Sequence, residues 1–183
     1  KHVTGVQTCA LPIFILGLGF GIWGYLNKTV EGALQPILNC MQTLPHFSYL
    51  VPIMVLFGVG DHAGAIATII FATPPMIRLT ILGLRKISPD IVDSGLMSGC
   101  NKTQLLFKVL IPTARRDILI GVNQVIMQCL AMTTIAAFIG AKGLGFNLKV
   151  ALNSLEIGKA SEIGLCVVLI AVILDKYSLA WAN

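Results

Sequence analysis

Charged residues are scarce in this sequence. Asp, Glu, Lys and Arg make up 11% of the 183 residues, whereas a soluble domain carries about a quarter. Hydrophobic residues account for 56% of the chain, and the mean hydropathy is +0.86. The shortage of charge argues against a soluble globular fold and predicts an all-α membrane protein with several spans.

The sequence also lacks the motifs that carry covalent chemistry. Its five cysteines include no C-x-x-C pair, and its three histidines are too far apart in sequence to suggest a ligand set. No G-x-x-x-x-G-K-S/T loop is present to cradle a phosphate. No His, Ser, Cys and carboxylate stand at a useful catalytic spacing. We therefore predict no catalytic residue, no metal, no cofactor on this chain and no enzyme activity.

Five apolar runs are predicted to cross the membrane, the first of them truncated. They cover residues 14–26, 44–59, 64–84, 118–139 and 163–174. The last run is shorter than the roughly 20 residues that a span needs, so it must extend into its flanks. Prolines predict that the second run is kinked or starts late, and that Pro74 and Pro75 bend or interrupt the third. Residues 27–42 are expected to be a polar interlude, and residues 144–162 an amphipathic helix on the outer face.

A glycine pattern lies inside the first of these runs. Residues 19–24 satisfy G-x-G-x-x-G, which in a soluble parallel sheet indicates a dinucleotide site. Within a membrane run, glycines at this spacing favour close helix packing instead.

The net charge of +5 follows the predicted topology and gives no indication of nucleic acid. If each run crosses once, most basic residues fall on one side, whereas acidic residues offset the basic ones on the other. The basic side holds Lys28, Arg85, Lys86, Lys102, Lys108, Arg115, Arg116 and Lys176. By the positive-inside rule this side is the cytoplasm. We therefore predict a multi-pass protein of the bacterial plasma membrane.

The first residues read as foreign sequence. Residues 3–13, VTGVQTCALPI, are the in-frame translation of a sequence that looks like a common short-read sequencing adapter. A library scar is excluded from fold reasoning. We expect residues 1–13 to be such an artefact and residues 14–183 to be an N-terminally truncated transmembrane domain.

Residues 88–112, SPDIVDSGLMSGCNKTQLLFKVLIP, form the only long polar, charge-bearing segment between two apolar runs that are each long enough to cross a bilayer. Ser88 is predicted to cap a first short helix that Gly99 ends. Asn101 and Gln104 are spaced as the capping box of a second helix, which gives way to the next span at Pro112. The topology places this loop in the cytoplasm.

The loop carries a family resemblance. Asp93-Ser94-Gly95, three residues, Gly99, nine residues and then V-x-I-P resembles the "EAA" signature of binding-protein-dependent ABC importer permeases, E-A-A-x3-G-x9-I-x-L-P. The glycine and the proline match, and the other positions are conservative departures. The flanks 41–60, 69–85 and 137–145 look like the glycine betaine/proline/choline branch, and the resemblance covers residues from about 17 to 175.

The resemblance implies a type I ABC importer permease and its partners. These are a separate cytoplasmic ABC ATPase subunit, an extracytoplasmic substrate-binding protein or domain, a second permease copy that makes a homodimer, and membrane lipid. The loop would be the coupling element, which docks on the ATPase through Asp93, Ser94, Gly95, Gly99 and Pro112. The alternative from the residues alone is an amphipathic connector on the membrane surface.

The uncharged run 118–139 carries its polar residues on neighbouring stripes. They are Asn123, Gln124, Gln128 and Thr134. Polar groups in hydrocarbon need partners, so this face is predicted either to line a pathway or to make hydrogen bonds between helices.

The function implied is the ATP-driven import of a compatible solute such as glycine betaine, proline or choline, with a role in osmoprotection. One alternative is an ABC permease for another small amino-acid-like substrate. A secondary transporter is less favoured, because the only charge within a span is Arg78, which lies near the end of its run.

Overall fold

The computed structural model describes residues 3–182, so Lys1 and His2 of the expected artefact lie outside the described residues. The helices are α1 (Val3–Leu26), α2 (Lys28–Thr43), α3 (His46–Phe57), α4 (Asp61–Arg85), α5 (Pro89–Met97), α6 (Lys102–Gln104), α7 (Ile111–Thr113), α8 (Arg115–Ala136), α9 (Leu144–Asn153) and α10 (Ile157–Ala182). A π-helical segment, Leu105–Leu110, joins α6 to α7, and a 3-10 turn, Ala137–Ile139, continues α8. Residues 3–182 contain no strand, which confirms the all-α prediction.

In the part of the chain that the structure describes, three helices are long and apolar enough to cross a membrane by themselves. They are α4, α8 with its 3-10 continuation, and α10 from Ile157 to Ser178. The α2 and α3 helices are bent by 96° relative to each other and together form a broken fourth span or a re-entrant loop. The apolar part of α1, Leu11–Leu26, is shorter. The five predicted runs thus appear as three full spans, one bent pair and the apolar stretch of α1.

Residues 27–42, predicted only as a polar interlude, form the helix α2. The predicted late start of the next run is confirmed, since α3 begins only at His46. Leu44 is extended, with ψ of 137°, because the residue before a proline is disfavoured in the helical region. The hydroxyl of Tyr49 donates to the carbonyl of Met41 and ties the two sides of the bend together.

Of the bend or interruption predicted at Pro74 and Pro75, the interruption does not occur, and α4 is continuous over 25 residues. Both prolines are buried where α4 packs between α1 and α8. Tertiary packing on two sides therefore outweighs the local cost of two missing backbone donors.

The amphipathic helix predicted for residues 144–162 is shorter than expected. It ends at Asn153, and Leu155 has a positive φ of 55° in the turn that follows. The last span then begins at Ile157, so it extends into both flanks as the short apolar run required.

Glycines set the packing of α1 on α4. A Cβ added to Gly21 would lie 2.6 Å from Cβ of Thr80, and one added to Gly24 would lie 3.0 Å from Ile81. The later glycine of α1 meets the later residue of α4, so the two helices run parallel. Gly19 faces open space, so the glycine pattern serves helix packing as predicted.

The bundle has two ends, which we name by the segments found there. The loop end holds residues 86–114, between α4 and α8, and the opposite end holds the turns 58–60 and 140–143. The buried side chains of the π-helical segment, Leu105, Leu106 and Leu110, join the core that continues through Leu84 and Ile118. The segment 88–112 is therefore packed into the bundle.

Candidate functional site

The first helix of the loop, α5, is closed at both ends by the residues that the sequence predicted. Oγ of Ser88 accepts the backbone N–H of Asp90 at 3.4 Å, and Pro89 occupies the first turn. At the other end, the N–H groups of Gly99 and Cys100 donate to the carbonyls of Leu96 and Gly95. This is a Schellman motif, and Gly99 adopts the positive φ of 77° that it requires.

The second half of the loop starts with the predicted capping box. The backbone N–H of Asn101 donates to Oε1 of Gln104 at 3.1 Å. The helix then widens into the π-helical segment, which the sequence analysis did not foresee. The residue that could have indicated the π-helical segment is Pro112. It lacks an N–H and so leaves the carbonyl four residues earlier without its usual donor.

The close approach at Gly95 is internal to the loop. Gly95 is buried, and a Cβ added there would lie 2.5 Å from Cδ1 of Leu105 and 3.6 Å from Val109. Around Gly99 there is open space, so its contribution is its backbone conformation. These two glycines and the buried leucines fix α5 against the π-helical segment and make the loop a rigid unit.

The outward surface of α5 mixes polar and apolar side chains. Asp93 and Ser94 are exposed, although the hydroxyl of Ser94 donates to the carbonyl of Asp90 at 2.7 Å. Met97 is 89% exposed and Leu96 49% exposed. We name the exposed residues Asp93, Ser94, Leu96 and Met97 the α5 surface.

Two ion pairs at the base of the loop were not predicted. Arg85, the last residue of α4, pairs with Glu31 of α2, whose side chain is almost completely buried. Next to it, Nζ of Lys86 lies 3.3 Å from Oδ1 of Asp117 on α8. The basic residues at the end of α4 were noted only as a topology signal, and their acidic partners are 54 and 31 residues away. The base of the loop is therefore tied to two different helices of the bundle.

The polar residues predicted on α8 are placed in two different settings. Nδ2 of Asn123 donates to Oδ1 of Asp175 at 2.9 Å, and Oδ1 of Asn123 accepts the hydroxyl of Ser178, so this amide joins α8 to α10. The hydroxyl of Thr134 donates to the carbonyl of Leu130 in its own helix at 3.4 Å.

Gln124 and Gln128 do not take part in that contact. Gln124 is exposed, and Oε1 of Gln128 is buried without a hydrogen-bond partner among the described residues. Gln124 is thus available to groups outside the chain, whereas Oε1 of Gln128 is enclosed by the chain itself.

Within the spans, Arg78 donates to Oδ1 of Asn39 and links α4 to α2. At the opposite end of the bundle, Asp61 accepts the backbone N–H of Lys142 at 2.7 Å and connects the two turns found there. Among the described residues, no three His, Cys, Asp or Glu side chains are grouped so that they could hold a metal ion.

The architecture is that of a type I ABC importer permease. It matches the MetNI methionine ABC transporter in an inward-facing conformation with a TM-score of 0.87 and 17% identity, over 99% of this chain and 91% of that chain. At this level of identity the likeness shows the fold. The chain belongs to the family described as the binding-protein-dependent transport system inner membrane component, which its residues 13–178 match. The predicted family and the multi-pass inner membrane location are thereby confirmed.

Curated relatives are much closer in sequence. A trimethylamine N-oxide transport system permease protein of Pelagibacter ubique is 63% identical over 95% of this chain and 24% of the relative. A glycine betaine/proline betaine transport system permease protein of Escherichia coli is 41% identical over 96% of this chain and 49% of the relative. A glycine betaine transport system permease protein of Bacillus subtilis is 40% identical over 93% and 61%, respectively. The chain thus spans about a quarter to three fifths of the length of these relatives.

Proposed function

We propose that this chain is the membrane-spanning part of a permease that imports a small N-methylated compatible solute, driven by ATP hydrolysis on a separate subunit. The observation that carries the proposal is the rigid loop of residues 88–112, which is packed into the bundle and presents the α5 surface outward. The relatives named above, which transport glycine betaine, proline betaine or trimethylamine N-oxide, support the substrate class. Other amino-acid-like solutes remain the alternative, and the family match disfavours a secondary transporter.

The α5 surface is the part of the loop that docks on the ATPase. Exposed apolar side chains on a water-facing segment mark a protein contact, and Met97 and Leu96 are the exposed apolar residues next to Asp93 and Ser94. Gly95, Gly99 and Pro112 act from inside the loop: Gly95 by packing, Gly99 by its positive φ and Pro112 beside the π-helical segment. The docking residues predicted from the family signature therefore divide into contact residues and residues that shape the loop.

The ion pairs at the base of the loop transmit its movement. Arg85 links it to α2 through Glu31, and Lys86 links it to α8 through Asp117. When ATP brings the ATPase subunits together, a displacement of α5 reaches both helices, because the loop is rigid. The opposite end of the bundle faces a substrate-binding protein or domain, and a second copy of the chain completes the pathway within the lipid.

Site-specific crosslinking tests this proposal. A single cysteine is placed at Ser94 in the full-length parent permease, from which the native cysteines have been removed, and the ATPase subunit is co-expressed. We expect a crosslink whose yield changes when ATP is added. The matched control is a cysteine at Val59, which is also exposed but lies at the opposite end and should not react with the ATPase. If the Ser94 position gives no crosslink while both subunits are in the membrane, the loop is a passive connector.

A further inference from the structure

Three elements bring two aromatic rings and one cation together near the opposite end of the bundle. Phe47 of α3 and Phe138 of the 3-10 turn after α8 have ring centroids 5.9 Å apart in an edge-to-face arrangement. Nζ of Lys149, on α9, lies 5.7 Å from the centroid of the Phe138 ring and donates to the carbonyl of Phe138 at 3.3 Å. Both rings are 55% exposed, so they are open to a further ligand.

The chemistry of this group suits an N-methylated cation. A cation within about 6 Å of an aromatic centroid is attracted by the negative face of the ring, and quaternary ammonium groups are recognised in this way. The ammonium of Lys149 shows that the ring of Phe138 accepts a positive charge in this structure. Lysine is strongly hydrated and sits on a flexible stem, so it can withdraw to water. A quaternary ammonium group has no N–H to hydrate and gains more from the ring.

The position of Phe138 separates it from an ordinary lipid-facing ring. It continues the stripe of α8 that holds Gln124, Gln128 and Ala131, which recur at spacings of three and four. The exposed side chain of Gln124 and the half-buried side chain of Gln128 make this stripe a poor surface for hydrocarbon. Phe138 therefore lies where a polar path along α8 meets the end of the bundle away from the loop.

We propose that Phe138, together with Phe47, forms a transient binding site for the trimethylammonium group of the solute at the entrance of the pathway, and that Lys149 occupies it between solutes. This rests on the proposed function, because an importer that binds no such cation has no use for the site. The site lies on the permease and adds to any recognition by the binding protein.

The test is uptake of labelled glycine betaine, and of labelled trimethylamine N-oxide, by proteoliposomes that contain the full-length transporter with its ATPase and binding protein. Phe138→Leu keeps the apolar bulk and removes the ring, whereas Phe138→Tyr keeps the ring. We expect Phe138→Leu to lower the uptake rate per ATP hydrolysed by at least about threefold, the scale of a partly exposed cation–π contact. We expect Phe138→Tyr to stay near the parent rate. Phe47→Leu should weaken uptake in the same direction but less.

Two further variants complete the design. Lys149→Gln removes the competing cation, so uptake at low solute concentration should rise by about twofold if the lost competition is of cation–π strength. Phe57→Leu, on the same helix as Phe47 and also exposed, has no ring contact among the described residues and should leave uptake unchanged. The amount of assembled complex and the basal ATPase rate check that each variant is folded.

The outcomes distinguish the two proposals. If the parent transporter takes up neither glycine betaine nor trimethylamine N-oxide, the proposed substrate class is wrong, and the cation site with it. If the parent takes up either solute and Phe138→Leu matches it, only the cation site is overturned. Equal losses in Phe138→Leu and Phe138→Tyr would assign Phe138 a packing role and also overturn it.

Discussion

At the scale of single residues, the two ionic contacts below the loop differ in how much water reaches them. The side chain of Glu31 is 9% exposed, whereas that of Arg85 is 50% exposed. Lys86 and Asp117 are both more exposed than Glu31. An exposed pair contributes little to stability, but a buried carboxylate depends on its partner. The Glu31–Arg85 pair is therefore the one whose loss matters.

Removing the arginine should cost more than removing the acid. In Arg85→Ala, the buried carboxylate of Glu31 loses its cation, and we expect the transporter to lose about 1–3 kcal/mol of stability, less than for a fully buried pair. In Glu31→Gln, Arg85 reaches water, and the loss should be below about 1 kcal/mol. Thermal unfolding of the purified full-length permease measures both. Equal effects, or a larger one for Glu31→Gln, would contradict this account of the pair.

At the scale of helices, local signals in the sequence were sufficient wherever the backbone itself fixes the structure. Ser88, Gly99, Asn101 and Gln104 begin and end the loop helices where they were predicted to. A cap depends on only a few neighbouring residues, so one sequence is enough to find it. These residues explain why the shape of the candidate site was predictable.

Features that depend on distant contacts were missed or mispredicted. Two prolines in α4 do not break it, because α1 and α8 pack on both sides. Residues 27–42 look polar yet form a helix, in which Glu31 finds its partner 54 residues away on α4. The meeting of Phe47, Phe138 and Lys149 depends on three elements that are remote in sequence. A single sequence contains no record of such pairings.

The contact between α1 and α4 allows a matched test within one helix. In Gly21→Ala the new Cβ would lie 2.6 Å from Cβ of Thr80, which is fully buried and branched at Cβ, so it cannot turn aside. We expect a loss of about 1–3 kcal/mol from overpacking. Gly19→Ala, two residues away, meets open space and should be neutral or stabilising by up to about 1 kcal/mol through helix propensity.

Thermal unfolding of the two variants in detergent gives the comparison, with the recovery of monodisperse protein as a second readout. A Gly19→Ala variant that is as unstable as Gly21→Ala would show that α1 does not pack on α4 through this glycine face.

At the scale of the whole molecule, much of the apolar surface has no partner within the chain. The α10 span is almost entirely exposed, and on the α8 stripe Gln124 is exposed and Gln128 half-buried. Lipid can cover α10, which is apolar along its span, but it cannot satisfy the amides of α8. The two surfaces therefore have different neighbours in the membrane, and the α8 stripe is the one that needs another protein chain or a water-filled path.

The buried oxygen of Gln128 allows an experimental test of assembly. An unpaired buried acceptor costs about 1–3 kcal/mol, so Gln128→Met, which has similar length and no amide, should stabilise the permease as a separated monomer. Because Oε1 of Gln128 is buried within the chain, the amide would have to turn outward on assembly to accept a donor from a second copy or from pathway water. The same substitution should then lower the thermal stability of the assembled form. If Oε1 of Gln128 gains a donor on assembly, the substitution changes the thermal stability of the monomer and of the assembled transporter in opposite directions. Stabilisation of both forms would mean that the α8 stripe meets neither a second copy nor water.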